Sequence, residues 1–330
     1  FDESLIKKYK CNIYGYDPTP RVKEWLKSNL VSSKFLFHPY ALAGNSKRLR
    51  LYKPSIEHHI SHSIIPNKED NFIDVEAKSI NIILKENDHS EIDVLKMDIE
   101  GSEYEVMYDE NKLPVGIRFL ITVQNETHQV ELLGTLGAHH SYHVLAAMAV
   151  ISALKEDIGS AIKSFRRHET TPGRMRLVPG LKGAMIIDDT YNSSPVALNE
   201  ALKTLKNIKA KRKIAILGDM LELGKFSIEA HKNAGVNAKD SSDILVTVGV
   251  RSRAIAESAL NSGMNENNIF QFDDSKEAGD FMQNVLKNGD VILIKGSQGM
   301  RMEKTVEEIM AEPDKKGEYL VRQYGFWLTR

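Results

Sequence analysis

Arg174, the adjacent acids Asp188 and Asp189, and Lys295 are the residues whose types and settings could do chemistry together in this chain of 330 residues. The two acids close an apolar run, Met185-Ile186-Ile187, and the polar turn Thr190-Tyr191-Asn192-Ser193-Ser194-Pro195 follows them. Gly173-Arg174-Met175 comes shortly before that run, and Lys295-Gly296-Ser297 follows another apolar run, Val291 to Ile294. An acid at the carboxyl end of a strand can accept hydrogen bonds from a ribose. A fixed guanidinium can hold the charge that builds on a transferring phosphoryl group. Lys295 and Ser297 could meet anionic groups through charge and hydroxyl contacts. Asp, Asn, Ser and Pro are also common in ordinary strand-end turns, so residue type alone leaves both uses open, and leaves the choice between Asp188 and Asp189 open.

The elements that must position these residues are short. From about Ala210, apolar strands at Lys213 to Leu217, Ile244 to Val248 and Val291 to Ile294 alternate with helical patterns. Ala278, Phe281, Met282, Val285 and Leu286 share one helical face behind Asp274 and Glu277, which are spaced as a capping box. Val306, Ile309 and Met310 repeat the helical spacing. Such alternation predicts a parallel sheet covered by helices. Upstream, Leu198, Leu202 and Leu205 mark an amphipathic helix, and Val115 to Val123 and Val130 to Leu133 are strand-like. Tyr142 to Leu154 is apolar on several faces, which predicts a buried helix. In the first third, Cys11 to Tyr16 reads as a strand, and Pro20 suits a first helical position with Thr19 as its cap. Ile92 to Asp98 reads as a buried strand ending in an acid, and Glu57 to Asn71 as a polar loop or edge.

Composition narrows the class. Apolar residues make up 42% and charged residues 27%, as in ordinary globular cores. Lys plus Arg (44) nearly balances Asp plus Glu (45), which gives no electrostatic case for nucleic acid or an anionic membrane as partner. A single cysteine, Cys11, excludes an intrachain disulfide and suits a reducing, cytoplasmic setting. No apolar run is long enough to span a bilayer, and no signal peptide is visible. His139 and His143 could share a helix face and bind metal, but no third ligand is evident, so no metal site is expected.

Several motifs in order resemble the Mur ligases, the ATP-dependent amide-forming enzymes of peptidoglycan synthesis. They are Leu136-Gly137-Ala138-His139-His140-Ser141-Tyr142-His143, the Gly173-Arg174-Met175 and Ile187-Asp188-Asp189 segments, Leu217-Gly218-Asp219-Met220-Leu221-Glu222-Leu223-Gly224, and Lys295 to Glu303. The resemblance implies addition of D-alanyl-D-alanine to UDP-N-acetylmuramoyl-tripeptide through an acyl phosphate, with ATP and Mg²⁺ as cofactors. It places Arg174 at the nucleotide phosphates as the catalytic arginine. It places Asp189, or Asp188, at the ribose, with Asn192 beside them. His139 matches the family's histidine, Ala138 stands where the family has arginine, and His143 stands where its asparagine approaches the adenine. Lys295 and Ser297 would meet the incoming substrate. No Gly-x-x-Gly-Lys-Thr phosphate loop occurs in the chain, and Gly44-Asn45-Ser46-Lys47 has the wrong spacing for one. The magnesium ligands are therefore expected outside this chain, and the ligase site is expected to be incomplete.

The first third resembles a different family. Ile92-Asp93-Val94-Leu95-Lys96-Met97-Asp98-Ile99-Glu100-Gly101-Ser102-Glu103 is similar to a segment of the FkbM methyltransferases, which implies S-adenosylmethionine as cofactor. That resemblance puts Asp17 at the ribose and Asp98 and Glu100 at the cofactor and acceptor edge. The glycine-rich first cofactor loop expected before Cys11 is missing, so this unit is expected to be cut short. The expected architecture is a composite α/β chain. Residues 1–112 form a truncated Rossmann-type methyltransferase unit, 113–209 part of a ligase central domain, and 210–330 a Rossmann-like ligase C-terminal domain. A methyltransferase, and a non-catalytic remnant or binding module, stand as alternative functions.

Overall fold

The computed structural model describes residues 2–29, 32–42, 47–52, 72–90, 104–123 and 126–329. The chain divides into two compact units, Phe1–Glu103 and Tyr104–Arg330. The segment carrying Asp98 and Glu100, the Glu57 to Asn71 stretch with its histidines, and Gly44 to Ser46 all lie outside the described residues.

In the first unit, α1 (Asp2–Tyr9) precedes β1 (Ile13–Tyr16), and α2 (Pro20–Asn29) leads to β2 (Phe35–His38). β1 and β2 pair in parallel, with Tyr16 opposite His38. Pro20 opens α2 as expected, since its missing N–H costs nothing at a helix start. β3 (Ala41–Leu42), β4 (Lys47–Tyr52) and β5 (Phe72–Lys78) form a second small sheet with β5 central, and α3 (Ile80–Glu86) follows.

The second unit begins with an antiparallel sheet, β6 (Glu105–Tyr108), β7 (Pro114–Val123) and β8 (Glu126–Leu133). The expected boundary at 112/113 falls inside the β6–β7 turn. That turn is a closed structure: the Leu113 amide donates to Asp109 Oδ1 at 2.8 Å. The break between units therefore precedes β6.

Two helices come next, α4 (His140–Ala153) and α5 (Ile158–Phe165). Asp157 caps α5 by accepting from the Gly159 and Ser160 amides. The expectation of a helix buried on several faces is corrected at α4. Only His140, Val144 and Met148 are buried, while Tyr142, Leu145, Val150 and Leu154 are exposed. The buried stripe packs on the inner face of the β7–β8 hairpin, where Ile117, Phe119, Val130 and Leu132 join the same core.

The remaining elements build one six-stranded sheet. Its strands are β9 (Arg176–Gly180), β10 (Ala184–Asp189), β11 (Arg212–Gly218), β12 (Ile244–Val248), β13 (Ile269–Phe272) and β14 (Asp290–Lys295). Their spatial order is β13-β12-β11-β14-β10-β9, parallel throughout except for β9. β12 and β14 are buried along their whole lengths and β11 from Ile214 onward, as a sheet covered on both faces requires. Covering helices are α6 (Pro195–Asn207), α7 (Ser227–Ser241), α8 (Arg253–Asn261), α9 (Ser275–Val285) and α10 (Glu303–Ile309), with the short α11 (Lys316–Tyr319) near the end. Ser194 caps α6 through the Ala197 amide, and Asp274 caps α9 through the Lys276 and Glu277 amides.

A separate unit starting at 210 is not what forms. β10 pairs with β14 along its length, and one continuous core runs from Ile117 through Leu202 and Leu217 to Leu293. The strand that carries Asp188 and Asp189 thus belongs to the same sheet as the strands that follow Ala210. β9 was not legible as a strand because it contains Pro179 and Gly180; its edge position accommodates a residue with no N–H to donate.

Candidate functional site

β10 and β14 are neighbours in register, so Asp189 stands beside Lys295 at the carboxyl ends of the two strands. Lys295 Nζ donates to Asp189 Oδ2 at 2.6 Å and to the Asn192 carbonyl at 2.9 Å. Lys295 is 2% exposed, and a buried ammonium persists only when paired and hydrogen-bonded in this way. Burial pushes the Asp189 carboxyl above its ordinary pKa, while Lys295, Arg174 and the Met175 amide pull it back.

Asp188 points into the protein instead. It is fully buried and accepts from the Gly173 amide at 3.0 Å, the Thr190 amide at 3.2 Å and the Thr190 hydroxyl at 2.6 Å. Burial lifts its pKa to about 6 against those hydrogen bonds. The two neighbouring acids thus differ in kind, because successive side chains of a strand point to opposite faces.

Asp188 also explains the backbone around Arg174. Gly173 has φ +70, and a Cβ there would stand 2.8 Å from the Tyr191 amide nitrogen. Glycine is needed for both reasons. The turn delivers the exposed Arg174 over the ring of Tyr191, 4.0 Å from guanidinium to centroid. Met175 beside it is buried, with φ 56.

His139 precedes α4 and belongs to the same neighbourhood. Partial desolvation, then the positive charges of His143, Lys295 and Arg174, hold its pKa below the usual value. His140 is buried, with Nε2 2.9 Å from Thr135 Oγ1, and burial drives its pKa down to about 3. His143 lies edge-on to both rings. Among the described residues no group of three or more His, Cys, Asp or Glu could hold a metal ion.

Between β11 and β14 the chain order reverses, β11 leading outward to β12 and β14 lying toward β10. Such a switch point opens a crevice at the strand ends where ligands bind in parallel sheets. The loops there are tied together. Ser297 Oγ accepts from the Leu221 amide at 2.8 Å, the Ser297 amide donates to the Asp219 carbonyl at 3.0 Å, and Asp219 Oδ1 accepts from the Ser252 amide at 2.7 Å. Ser297 Oγ also reaches the Ser193 carbonyl at 3.4 Å, and the Gln298 amide reaches Asn192 Oδ1 at the same distance. Arg174, Asp189, Asn192, His139, Lys295 and Ser297 are thus brought to one end of one sheet.

Comparison with known proteins follows the same division. Residues 173–298 match the profile described as Mur ligase, glutamate ligase domain. This stretch of the chain is similar to a Mur ligase domain. The chain is similar to the UDP-N-acetylmuramoyl-tripeptide–D-alanyl-D-alanine ligases of Bacillus subtilis (strain 168), 29% identical over 63% of this chain and 45% of that protein, and of Escherichia coli (strain K12), 28% identical over 57% and 41%. The crystal structure of the MurF ligase from Thermotoga maritima in complex with ADP superposes with a TM-score of 0.53 at 25% identity, covering 66% of this chain and 48% of that one. The chain spans less than half the length of these Mur ligase relatives. Residues 3–142 match the methyltransferase FkbM domain profile. That match runs past the first unit into β6–β8, whose Ile117, Phe119 and Leu132 sit in the core shared with the Mur ligase-like part.

In the first unit, Asp17 follows β1 as the sequence indicates. Its Oδ1 is taken up by the Thr19 amide at 2.8 Å and hydroxyl at 2.6 Å. The ends of β1 and β2 are aromatic: Tyr16 stacks on His38 at 4.9 Å, and burial raises the Tyr16 pKa to about 12. What sequence reasoning missed in the second unit is Arg322. It is buried, pairs with Glu303 at 2.7 Å and donates to the Thr190 carbonyl at 3.2 Å. Glu303 is visible in the sequence as the end of the Lys295 motif, but no motif marks Arg322 as its partner.

Proposed function

We propose that residues 104–330 supply the nucleotide-facing and amine-facing part of an ATP-dependent amide ligase, one that joins D-alanyl-D-alanine to UDP-N-acetylmuramoyl-tripeptide. The observation that carries this reading is the convergence of Asp189, Lys295 and Arg174 at the carboxyl ends of β10 and β14, beside the switch point of the parallel sheet. The residues fit a nucleotide. Arg174 is exposed and held flat by Tyr191, so it can meet phosphate oxygens while keeping its aromatic contact. Asp189 stands at the strand end paired with Lys295, whereas Asp188 is committed to the backbone of its own turn. The Lys295 ammonium opposes the burial that raises the Asp189 pKa, and so favours the carboxylate as an acceptor for ribose. His139 and His143 stand on the same side as candidates for the base, and Ser297 and Asn192 hold the two loops that border the crevice. When bound, ATP with its magnesium would supply the phosphoryl group that activates the carboxylate.

A second reading is favoured by the match over residues 3–142 and by the parallel strands that end at Asp17 and His38. On that reading the first unit takes S-adenosylmethionine. The third reading is a binding module without turnover. Saturation-transfer NMR on the full chain, with ADP and S-adenosylhomocysteine in parallel samples, separates the three. Transfer to ADP alone is expected; transfer to S-adenosylhomocysteine alone would replace the ligase reading with the methyltransferase one, and transfer to neither would leave the binding module.

A further inference from the structure

The chain beyond α11 returns across the site. Leu320 and Val321 are 3% and 8% exposed, and Arg322, at 6%, is buried although it is an arginine. Its Nη1 donates to Glu303 Oε2 at 2.7 Å, both Nη atoms reach the Thr190 carbonyl, and Nη2 also reaches the Tyr191 carbonyl. Glu303 is 1% exposed and also accepts from Arg301 Nε. Arg322 has φ 61, the left-handed region, which a non-glycine residue keeps only when its surroundings fix it. Val321 Cγ1 lies 2.9 Å from where a Cβ on Gly173 would stand, so the same segment closes over the turn before Arg174. The guanidinium of Arg322 also lies 5.9 Å from the Tyr191 ring and 5.6 Å from the Trp327 ring.

A buried guanidinium is expensive unless its charge is paired and its donors are used. Here Nη1 and Nη2 donate to Glu303 and to the carbonyls of one short turn, Thr190-Tyr191, between Asp189 and Asn192, while the buried Nε has no hydrogen-bond partner. That turn carries the ring on which Arg174 rests and leads to the carbonyl that holds Lys295. We propose that residues 320–327 form a strap over the site and that Arg322 is its positioning residue. Glu303 fixes Arg322, Arg322 fixes the Thr190–Asn192 turn, and the turn sets Arg174 and Lys295 relative to Asp189. The functional half of this inference rests on the nucleotide reading above; the mechanical half does not.

The test measures both halves on the full chain. Amide exchange by NMR follows Thr190 and Tyr191, whose N–H groups donate to Asp188 and to the Gly173 carbonyl. Calorimetry follows ADP. Arg322→Ala should speed exchange of these amides about tenfold or more and weaken ADP about tenfold, the effect of losing a charge-assisted hydrogen bond. Arg322→Lys, which keeps the charge without the planar fork, should recover part of both. Arg212→Ala is the control for general destabilisation. It breaks the Arg212–Asp290 pair at the opposite ends of β11 and β14, and should leave the local exchange and the ADP affinity unchanged. Equal exchange in wild type and Arg322→Ala, or an equal rise in Arg212→Ala, would overturn the strap. If the wild-type chain bound no ADP, the nucleotide reading would fail, and the exchange arm would still decide the strap.

Discussion

Asp188 and Asp189 show what adjacency conceals. One is a structural acid that holds the backbone of Gly173 and Thr190, and the other is paired with Lys295 at the end of the strand. The motif marked both residues, but strand direction decides which faces the crevice, and direction is not written in residue type. The buried pair makes a stability prediction. Lys295→Met should cost about 3–5 kcal/mol because it leaves Asp189 buried without its cation. The double variant with Asp189→Asn should cost less than Lys295→Met alone, as read by denaturant unfolding; a double variant at the sum of the two singles would show that the residues do not interact. His140 gives a pH prediction. Its pKa falls to about 3 in the folded chain, so below the ordinary 6.5 the unfolded chain binds more protons. Stability from this group is therefore full above pH 6.5 and is lost as pH falls toward 3. The imidazole C2–H shift of His140 should stay that of the neutral ring at pH 5; a midpoint above 6 would show that the ring is not buried as described. Asp188 has the opposite sign: its contribution is present below 3.8 and lost as pH rises through about 6. Arg322 was beyond sequence reasoning for a physical reason. Besides Glu303, its partners are carbonyls 132 and 131 residues away, and a carbonyl carries no residue identity.

At the scale of elements, β10, β11, β12 and β14 were legible because each contains a short, largely buried apolar run, whereas β13, with Gln271 exposed at the sheet edge, was not foreseen; α6 and α9 were legible because their caps and buried stripes agree. β9 was hidden by its proline. α4 was misjudged because apolar residues around a helix indicate burial only when something covers each face. Two substitutions on α4 test the observed division. Met148→Ala should cost about 2–5 kcal/mol, as for other core truncations. Leu154→Glu should change stability by about 0.5 kcal/mol or less, as at exposed positions. A large loss from Leu154→Glu in chemical denaturation would show that this end of the helix is covered in solution. The turn before Arg174 makes a second case. Gly173→Ala places a Cβ against the Tyr191 amide in a left-handed backbone, so about 1–3 kcal/mol of strain is expected. Unfolding at wild-type denaturant concentration would show that the turn relaxes freely.

At the scale of the whole molecule, the sequence places two family resemblances on one chain, and the structure divides that chain at Glu103/Tyr104. The division differs from the expected boundaries at 112/113 and 209/210 because β6 pairs with β7 and because β10 is the immediate neighbour of β14. Strand pairing across a sequence boundary cannot be read from composition. Proteases cut exposed segments between units first. Limited proteolysis should therefore leave a resistant fragment beginning near Tyr104 and reaching the last helices, with no cut near Ala210. Early cleavage near Ala210 would show that the sheet is less cooperative than its register implies. The central claim, that the Mur ligase-like part of this chain holds a nucleotide between Arg174 and the Asp189–Lys295 pair, is tested most directly by calorimetric titration with ADP and with adenosine. Arg174→Ala should weaken ADP by about ten- to a hundredfold and adenosine little, because only ADP presents phosphates, and Asp189→Ala should weaken both. Wild type and both variants binding ADP with equal affinity would contradict the account.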